Sequence, residues 1–312
     1  QKFTSEVKVA IDYQKHKLRV STLVLLLLSL NHGNVLSQTT PSVAAVDLNT
    51  VDWIHGSENC EALLAETNYQ EWQQIEYQPD SFVFRQNKCS DYEGPFVYFF
   101  VGQDKGLLID TGATIEGGEK LIELISTITD LPLVVAHSHG HGDHRMGDGA
   151  FAKGENVSLV GTGENAVSQY FGFSNWPNES IAIDLGDREI QLLPIPGHND
   201  DDLAYYDSQT NIVVTGDTLY PGRLYVKNWA EYRKSIRRLA DWVSEKSVSH
   251  VMGTHIEMSA IPNSDYAIGT TYQPDEDQLP LSVDHIYLLR DSLETLESPT
   301  RTPLGRFIIW PI

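Results

Sequence analysis

Ala136-His137-Ser138-His139-Gly140-His141-Gly142-Asp143-His144 packs four histidines and an aspartate into nine residues. It follows directly on the apolar Leu133, Val134 and Val135, the end of a predicted strand. Imidazole nitrogen and carboxylate oxygen are the donors that zinc and other borderline divalent ions prefer. Histidines two apart on an extended backbone project to the same side. His139 and His141 are therefore placed to grip one ion, and Asp143 and His144, at the following turn, to reach a second. His137 falls outside this spacing and reads as a neighbour, not a ligand. The competing reading is a solvated histidine-rich loop. Against it, His-x-His-x-Asp-His arises by chance in on the order of one in a thousand chains of this composition.

The rest of the chain is that of an ordinary globular protein. Its 312 residues, 41% hydrophobic and 21% charged, can bury one large core or two smaller ones. The formal net charge of −21 repels phosphate backbones and anionic lipid, which makes nucleic acid and membrane surfaces poor partners. A metal-loaded site can still be locally positive within that field. Cys60 and Cys89 are the only cysteines, too few for a disulfide scaffold and without metal-ligand spacing. In an exported protein they can pair; in a reducing cytosol they stay as thiols.

Residues 1–37 read as a secretory signal. Lys15, Lys17 and Arg19 precede the apolar Val20–Leu30, and a cut is predicted before Gln38. The apolar run is about half the roughly 20 residues of a spanning helix. Export to a periplasmic or extracellular space is expected, with no stable membrane association after cleavage; an uncut segment would leave an anchor. Residues 38–50 read as a linker and residues 51–312 as the catalytic domain with a C-terminal helical extension.

Strands are predicted over 96–101, 106–110, 133–136, 157–161, 181–184, 189–193, 203–206, 211–215 and 250–253. Helices are predicted over 117–128, 164–171, 229–246 and 283–297, where apolar residues recur at helical spacing. Asn228 and Glu231 form a capping pair for the third. Two β-rich halves, each followed by helices, predict an α/β four-layer sandwich with the site at one edge of its sheets. Three more donors follow apolar strands: His198 after Pro196-Gly197, Asp217 after Thr215-Gly216, and His255 after Gly253-Thr254.

With these in hand, the chain resembles the metallo-β-lactamase-fold superfamily. The motifs are His139-Gly140-His141-Gly142-Asp143-His144, Pro196-Gly197-His198, Thr215-Gly216-Asp217 and Gly253-Thr254-His255, in order between about Pro95 and Met258. The resemblance implies an αββα sandwich and a two-ion site. His139, His141 and His198 would hold one ion, Asp143, His144 and His255 the other, and Asp217 both. The ions expected are zinc, with iron or manganese as alternatives. Asp110, in Leu108-Ile109-Asp110-Thr111-Gly112, matches the family's aspartate behind the ligands. A hydroxide shared by two ions would attack a small ester, lactone or thioester, with Asp217 bridging and Asp143 relaying a proton to the leaving group.

Departures from the family's branches narrow this reading. Asp217 stands where zinc β-lactamases of the common type carry cysteine or lack the bridge, which disfavours a penicillin substrate. His141 stands where flavo-diiron proteins have glutamate. Thioesterases of the glyoxalase II kind share the ligands, but no basic tail for glutathione follows His255. The second reading is an iron oxidoreductase of the persulfide dioxygenase kind, with one ion on His139, His198 and Asp217. Beyond the bridge, Tyr220 or Tyr225 can donate to an oxyanion and Arg223 can hold a substrate carboxylate; packing of the same loop is an equal expectation.

Overall fold

The computed structural model describes residues 45–312, so the signal predicted over 1–37 and most of the predicted linker lie outside the described residues. After a short helix α1 (Cys60–Leu64), the first half runs β1 (Trp72–Gln78), β2 (Ser81–Gln86), β3 (Phe96–Val101), β4 (Gly106–Ile109), α2 (Ile115–Ile128), β5 (Leu133–Ala136), α3 (Gly142–Arg145), α4 (Asp148–Phe151), β6 (Val157–Leu159) and α5 (Glu164–Phe171). The second half runs β7 (Ile181–Asp184), β8 (Glu189–Pro194), β9 (Leu203–Asp207), β10 (Ile212–Gly216), β11 (Arg223–Val226), α6 (Trp229–Ser244), β12 (His250–Gly253), α7 (Val283–Thr295), β13 (Thr302–Pro303) and β14 (Ile308–Pro311). The largest sheet has the order β1-β2-β3-β4-β5-β6, the second β12-β10-β9-β8-β7, and a small third sheet β11-β14-β13.

Strand alternation explains the layering. Phe96, Tyr98 and Phe100 of β3 point to the core between the two sheets, while Val97 and Phe99 point outward to Leu121 and Ile125 of α2 and Phe151 of α4. In β10, Ile212 and Val214 face inward and Val213 faces Ile236 and Leu239 of α6 and Leu289 of α7. Each central strand is covered on both faces, which is why it reads as a near-continuous apolar run. The result is the predicted helix–sheet–sheet–helix sandwich. Asn228 caps α6 by accepting the Glu231 N–H.

The structure departs from the sequence reading at both ends of the domain. Leu48, assigned to the linker, is buried in the core between the sheets, and the Val46 N–H donates to the Tyr77 carbonyl. The fold therefore begins before residue 51. The hairpin of β1 and β2, absent from the prediction, turns at Asp80 with φ 60°, a conformation Asp tolerates. The tail is more than helical: β14 pairs in parallel with β11 and antiparallel with β13. Among the described residues no helix is long and apolar enough to cross a membrane.

Cys60 and Cys89 are joined by a disulfide across 29 residues, tying the segment before β1 to the loop after β2. Closing a loop of that length stabilises a domain by about 3.6 kcal/mol. Replacing both cysteines by serine should lower the unfolding free energy by about that amount in urea titrations.

Candidate metal centre

All seven predicted donors converge at the carboxyl-terminal ends of β5, β8, β10 and β12. His139 and His141 leave β5 in an extended turn, and α3 presents Asp143 and His144. His198, Asp217 and His255 follow β8, β10 and β12. The sharp exit from β10 depends on Gly216, whose φ is 54° and whose α-carbon lies so close to Ser138 that a β-carbon there would sit 2.7 Å from the serine's own.

The donors form two groups, within each of which one ligand atom per residue lies within 4.8 Å of the others: His139, His141 and His198, and Asp143, His144, Asp217 and His255. In the first, His139 Nε2 and His141 Nδ1 are 2.9 Å apart, His198 Nε2 and His141 Nδ1 3.0 Å, and the two Nε2 atoms 3.2 Å. Nitrogens each about 2.0–2.1 Å from one zinc at tetrahedral angles lie about 3.3 Å apart, so the spacing fits such an ion. In the second, His255 Nε2 lies 3.2 Å from Asp143 Oδ2 and 3.3 Å from His144 Nε2. Asp217 faces both groups. Its Oδ2 is 3.5 Å from His198 Nε2 and 3.8 Å from His139 Nε2. Its Oδ1 is 3.3 Å from His255 Nε2 and 3.6 Å from His144 Nε2.

The rear nitrogens are held from behind. His144 Nδ1 meets Asp110 Oδ2 at 2.9 Å, His198 Nδ1 the Tyr225 carbonyl at 2.8 Å, and His255 Nδ1 the Glu93 carbonyl at 3.2 Å. Each acceptor requires a proton on Nδ1 and leaves the Nε2 lone pair facing the centre. Asp110, in the left-handed region at φ 73°, also accepts the Ser138 N–H at 2.6 Å and the Ser138 hydroxyl at 2.8 Å. Asp217 is fixed by the Thr254 hydroxyl at 2.5 Å. His137 bonds Asp148 instead and stays outside the cluster.

Burial holds His139 well below the usual imidazole range, with His144 adding to the effect, and burial also lowers His198. For His144 and His255 burial opposes the charged form, yet the facing carboxylates outweigh it. Asp143, Asp110 and Asp217 raise His144 well above its ordinary value, and Asp217 and Asp143 raise His255 to about 9. Burial would raise Asp143 and Asp217, but the imidazolium charges opposite hold both carboxyls well below the usual range.

The cluster floors a cleft of ≈ 300 Å³, at the small end for ligand sites. Tyr220 and Tyr225 line it, but the loop beyond Asp217 is arranged differently from the sequence expectation. The Arg223 guanidinium turns away to Glu257 Oε1 at 2.7 Å and Asp265 Oδ2 at 2.8 Å, and it is not among the lining residues. A salt-bridged, buried Arg223 has no free face for a substrate carboxylate. The Tyr220 hydroxyl is spent on the Arg223 carbonyl at 2.5 Å. Tyr225 accepts from Arg223 Nε at 2.9 Å and lines the cleft. Tyr92, Glu93, Glu257 and Ile268 also form the walls, and no pattern in the sequence marked them.

The family model described as Metallo-beta-lactamase superfamily matches residues 91–246. The chain belongs to that superfamily. It is 24% identical over 126 residues to a hydroxyacylglutathione hydrolase of Chelativorans sp. (strain BNC1), covering 39% of this chain and 49% of that one. It is 30% identical over 84 residues to the acyl-coenzyme A thioesterase MBLAC2 of Gallus gallus, covering 26% and 30%. The chain thus spans about half or less of these relatives' lengths. Its fold matches a metallo-beta-lactamase from Pontibacter korlensis with TM-score 0.52 at 18% identity, over 72% of this chain and 100% of that one. A second metallo-beta-lactamase, from Erythrobacter litoralis, gives 0.51 at 17%, over 73% and 99%.

Two outcomes test this geometry. Asp110→Asn keeps the shape but loses the charge behind His144, and should weaken zinc binding 10–100-fold in competition titrations. Adding zinc to chelator-treated protein at pH 7 should expel about two protons from His144 and His255, read with a pH indicator, and fewer above pH 9.

Proposed function

We propose that this chain is an exported hydrolase that holds two zinc ions and cleaves a small ester, lactone or thioester. The observation that carries the reading is Asp217, whose two oxygens face separate donor groups. His139, His141 and His198 would hold one ion, Asp143, His144 and His255 the other, with Asp217 shared. Such ions lower the pKa of water toward neutrality and polarise an acyl oxygen.

The chain's own residues supply the rest. Thr254 keeps Asp217 oriented, and Asp110 keeps His144 oriented. Asp143 is part-exposed at the floor of the cleft, where its carboxylate can pass a proton to a departing group. The Tyr225 hydroxyl stands at the wall to donate to an acyl oxygen. Among these substrate classes the relatives favour the thioester, since both named kinds are hydrolases of acyl conjugates. The size of the cleft favours a small substrate. The alternative with one iron on His139, His198 and Asp217 leaves Asp143, His144 and His255 without a task. Export is supported by the disulfide, a bond typical of oxidising compartments, and by the apolar run Val20–Leu30.

Elemental analysis of the purified protein should find two zinc ions per chain, and chelation should abolish thioester hydrolysis. Asp217→Ala should lower kcat/KM by more than about 100-fold, beyond the usual effect of a residue behind the ligands. It should also reduce bound metal while leaving the far-ultraviolet circular dichroism intact. One iron per chain with no hydrolytic activity would replace this reading with the oxidoreductase.

A further inference from the structure

The walls of the cleft are acidic and aromatic. Glu93, Glu257, Tyr92 and Tyr225 line it, and among the described residues no lysine or arginine does. The nearby cations are committed behind the wall. Lys88 is fully buried and donates to the carbonyls of Tyr92 at 2.9 Å and Glu93 at 3.3 Å. Arg85 is paired with Glu276, and Arg223 with Glu257 and Asp265. Glu257 is thereby neutralised, and it also accepts the Arg223 N–H at 2.7 Å. Glu93 differs. Its carbonyl holds Lys88 and His255; its carboxylate makes no ion pair among the described residues and lies against the Tyr92 hydroxyl, whose ionisation it disfavours.

We propose that the substrate carries a positive charge, an ammonium or quaternary ammonium group on its leaving portion, seated between the Glu93 carboxylate and the rings of Tyr92 and Tyr225. This rests on the hydrolase reading and specifies its substrate class. Glu93 lines the cleft together with Tyr92 and Tyr225, and a carboxylate beside phenol rings supplies both the charge and the π-faces that such cations bind. The net charge of −21 draws cations toward the molecule and repels anionic conjugates. The positive charge of metal at this site would be offset locally by Asp110, Asp143 and Asp217, which lie within the same cluster. Ile268, 65% exposed at the rim, offers apolar contact to the remainder of the substrate.

Three acetyl thioesters of similar size isolate the charge: acetylthiocholine, its uncharged isostere S-(3,3-dimethylbutyl) thioacetate, and the anionic S-acetyl-3-mercaptopropionate. With the zinc-loaded full chain, kcat/KM for the cation should exceed that for the isostere by about tenfold, and the anion should be poorest. Glu93→Gln, which keeps the backbone carbonyl on His255, should bring the cation-to-isostere ratio close to one, and Glu93→Asp should restore part of it. Choline titrated by calorimetry should bind the wild-type protein and fail to bind Glu93→Gln. A ratio at or below one, or a ratio that Glu93→Gln leaves unmoved, overturns the proposal while the hydrolase reading stands. If none of the three thioesters is hydrolysed, the hydrolase reading fails, and the choline titration then decides: binding that depends on Glu93 upholds the cation site, and its absence overturns it.

Discussion

The carboxylate of Asp110 is the point on which the candidate metal centre hangs. It accepts three hydrogen bonds, from the Ser138 backbone, the Ser138 hydroxyl and the His144 ring, and it is fully buried. A buried carboxylate is costly unless paired and hydrogen-bonded, so the turn after β5 must come to it in one conformation. That turn carries His139 and His141 on one side and α3 with Asp143 and His144 on the other. The second half of the sandwich grips the same turn. Asp201 accepts the Gly140 N–H at 3.1 Å and the Gly163 N–H at 2.6 Å, and the Leu203 N–H bonds the Ser138 carbonyl.

Apolar burial alone would let the two sheets slide, since the core between them is made of interchangeable aliphatic and aromatic contacts. Directional polar contacts remove that freedom. Arg188, beside β8, pairs with Asp207 at 2.6 Å and reaches across to the Asp80 carbonyl at 2.7 Å and the Ser81 hydroxyl at 2.8 Å on the first sheet. The Tyr98 hydroxyl donates to the Gly253 carbonyl at 2.5 Å, next to His255, and the Tyr205 hydroxyl to the His137 carbonyl at 2.7 Å. Buried ion pairs of this kind contribute less to net stability than to the choice of one arrangement. Here the arrangement they favour brings donors from both sheets within a few ångströms of each other.

The cleft walls have a different origin from its floor. Lys88 braces the carbonyls of Tyr92 and Glu93, and the Glu93 carbonyl in turn orients His255. Burial pushes the Lys88 ammonium down to about 8, with the neighbouring Arg85 charge adding to the shift. Arg223, which the sequence offers as a substrate ligand, instead ties β11 to Glu257 and Asp265. The fold uses the guanidinium to hold a wall in place, and the groups left facing the cleft are carboxylates and phenols.

The candidate metal donors were legible in the sequence because each sits within a few residues of an apolar strand end, and their chemistry resides in residue type and local spacing. His139, His141, Asp143 and His144 needed only the nine-residue run; His198, Asp217 and His255 each needed a strand and a glycine. The same local periodicity exposed the central strands and the helices α2, α6 and α7. It missed β1, whose Gln73, Gln74 and Gln78 dilute the apolar pattern, and β11, which exists only because β14 pairs with it from more than 80 residues away. The sequence by itself determined which residues can bind metal and that the chain folds as a layered α/β sandwich. Only the tertiary structure decided that Asp217 faces both donor groups, that Arg223 is turned into the wall, and that Glu93 lines the cleft without an ion pair among the described residues. Those outcomes depend on contacts between residues far apart in the chain, and no short-range pattern records them.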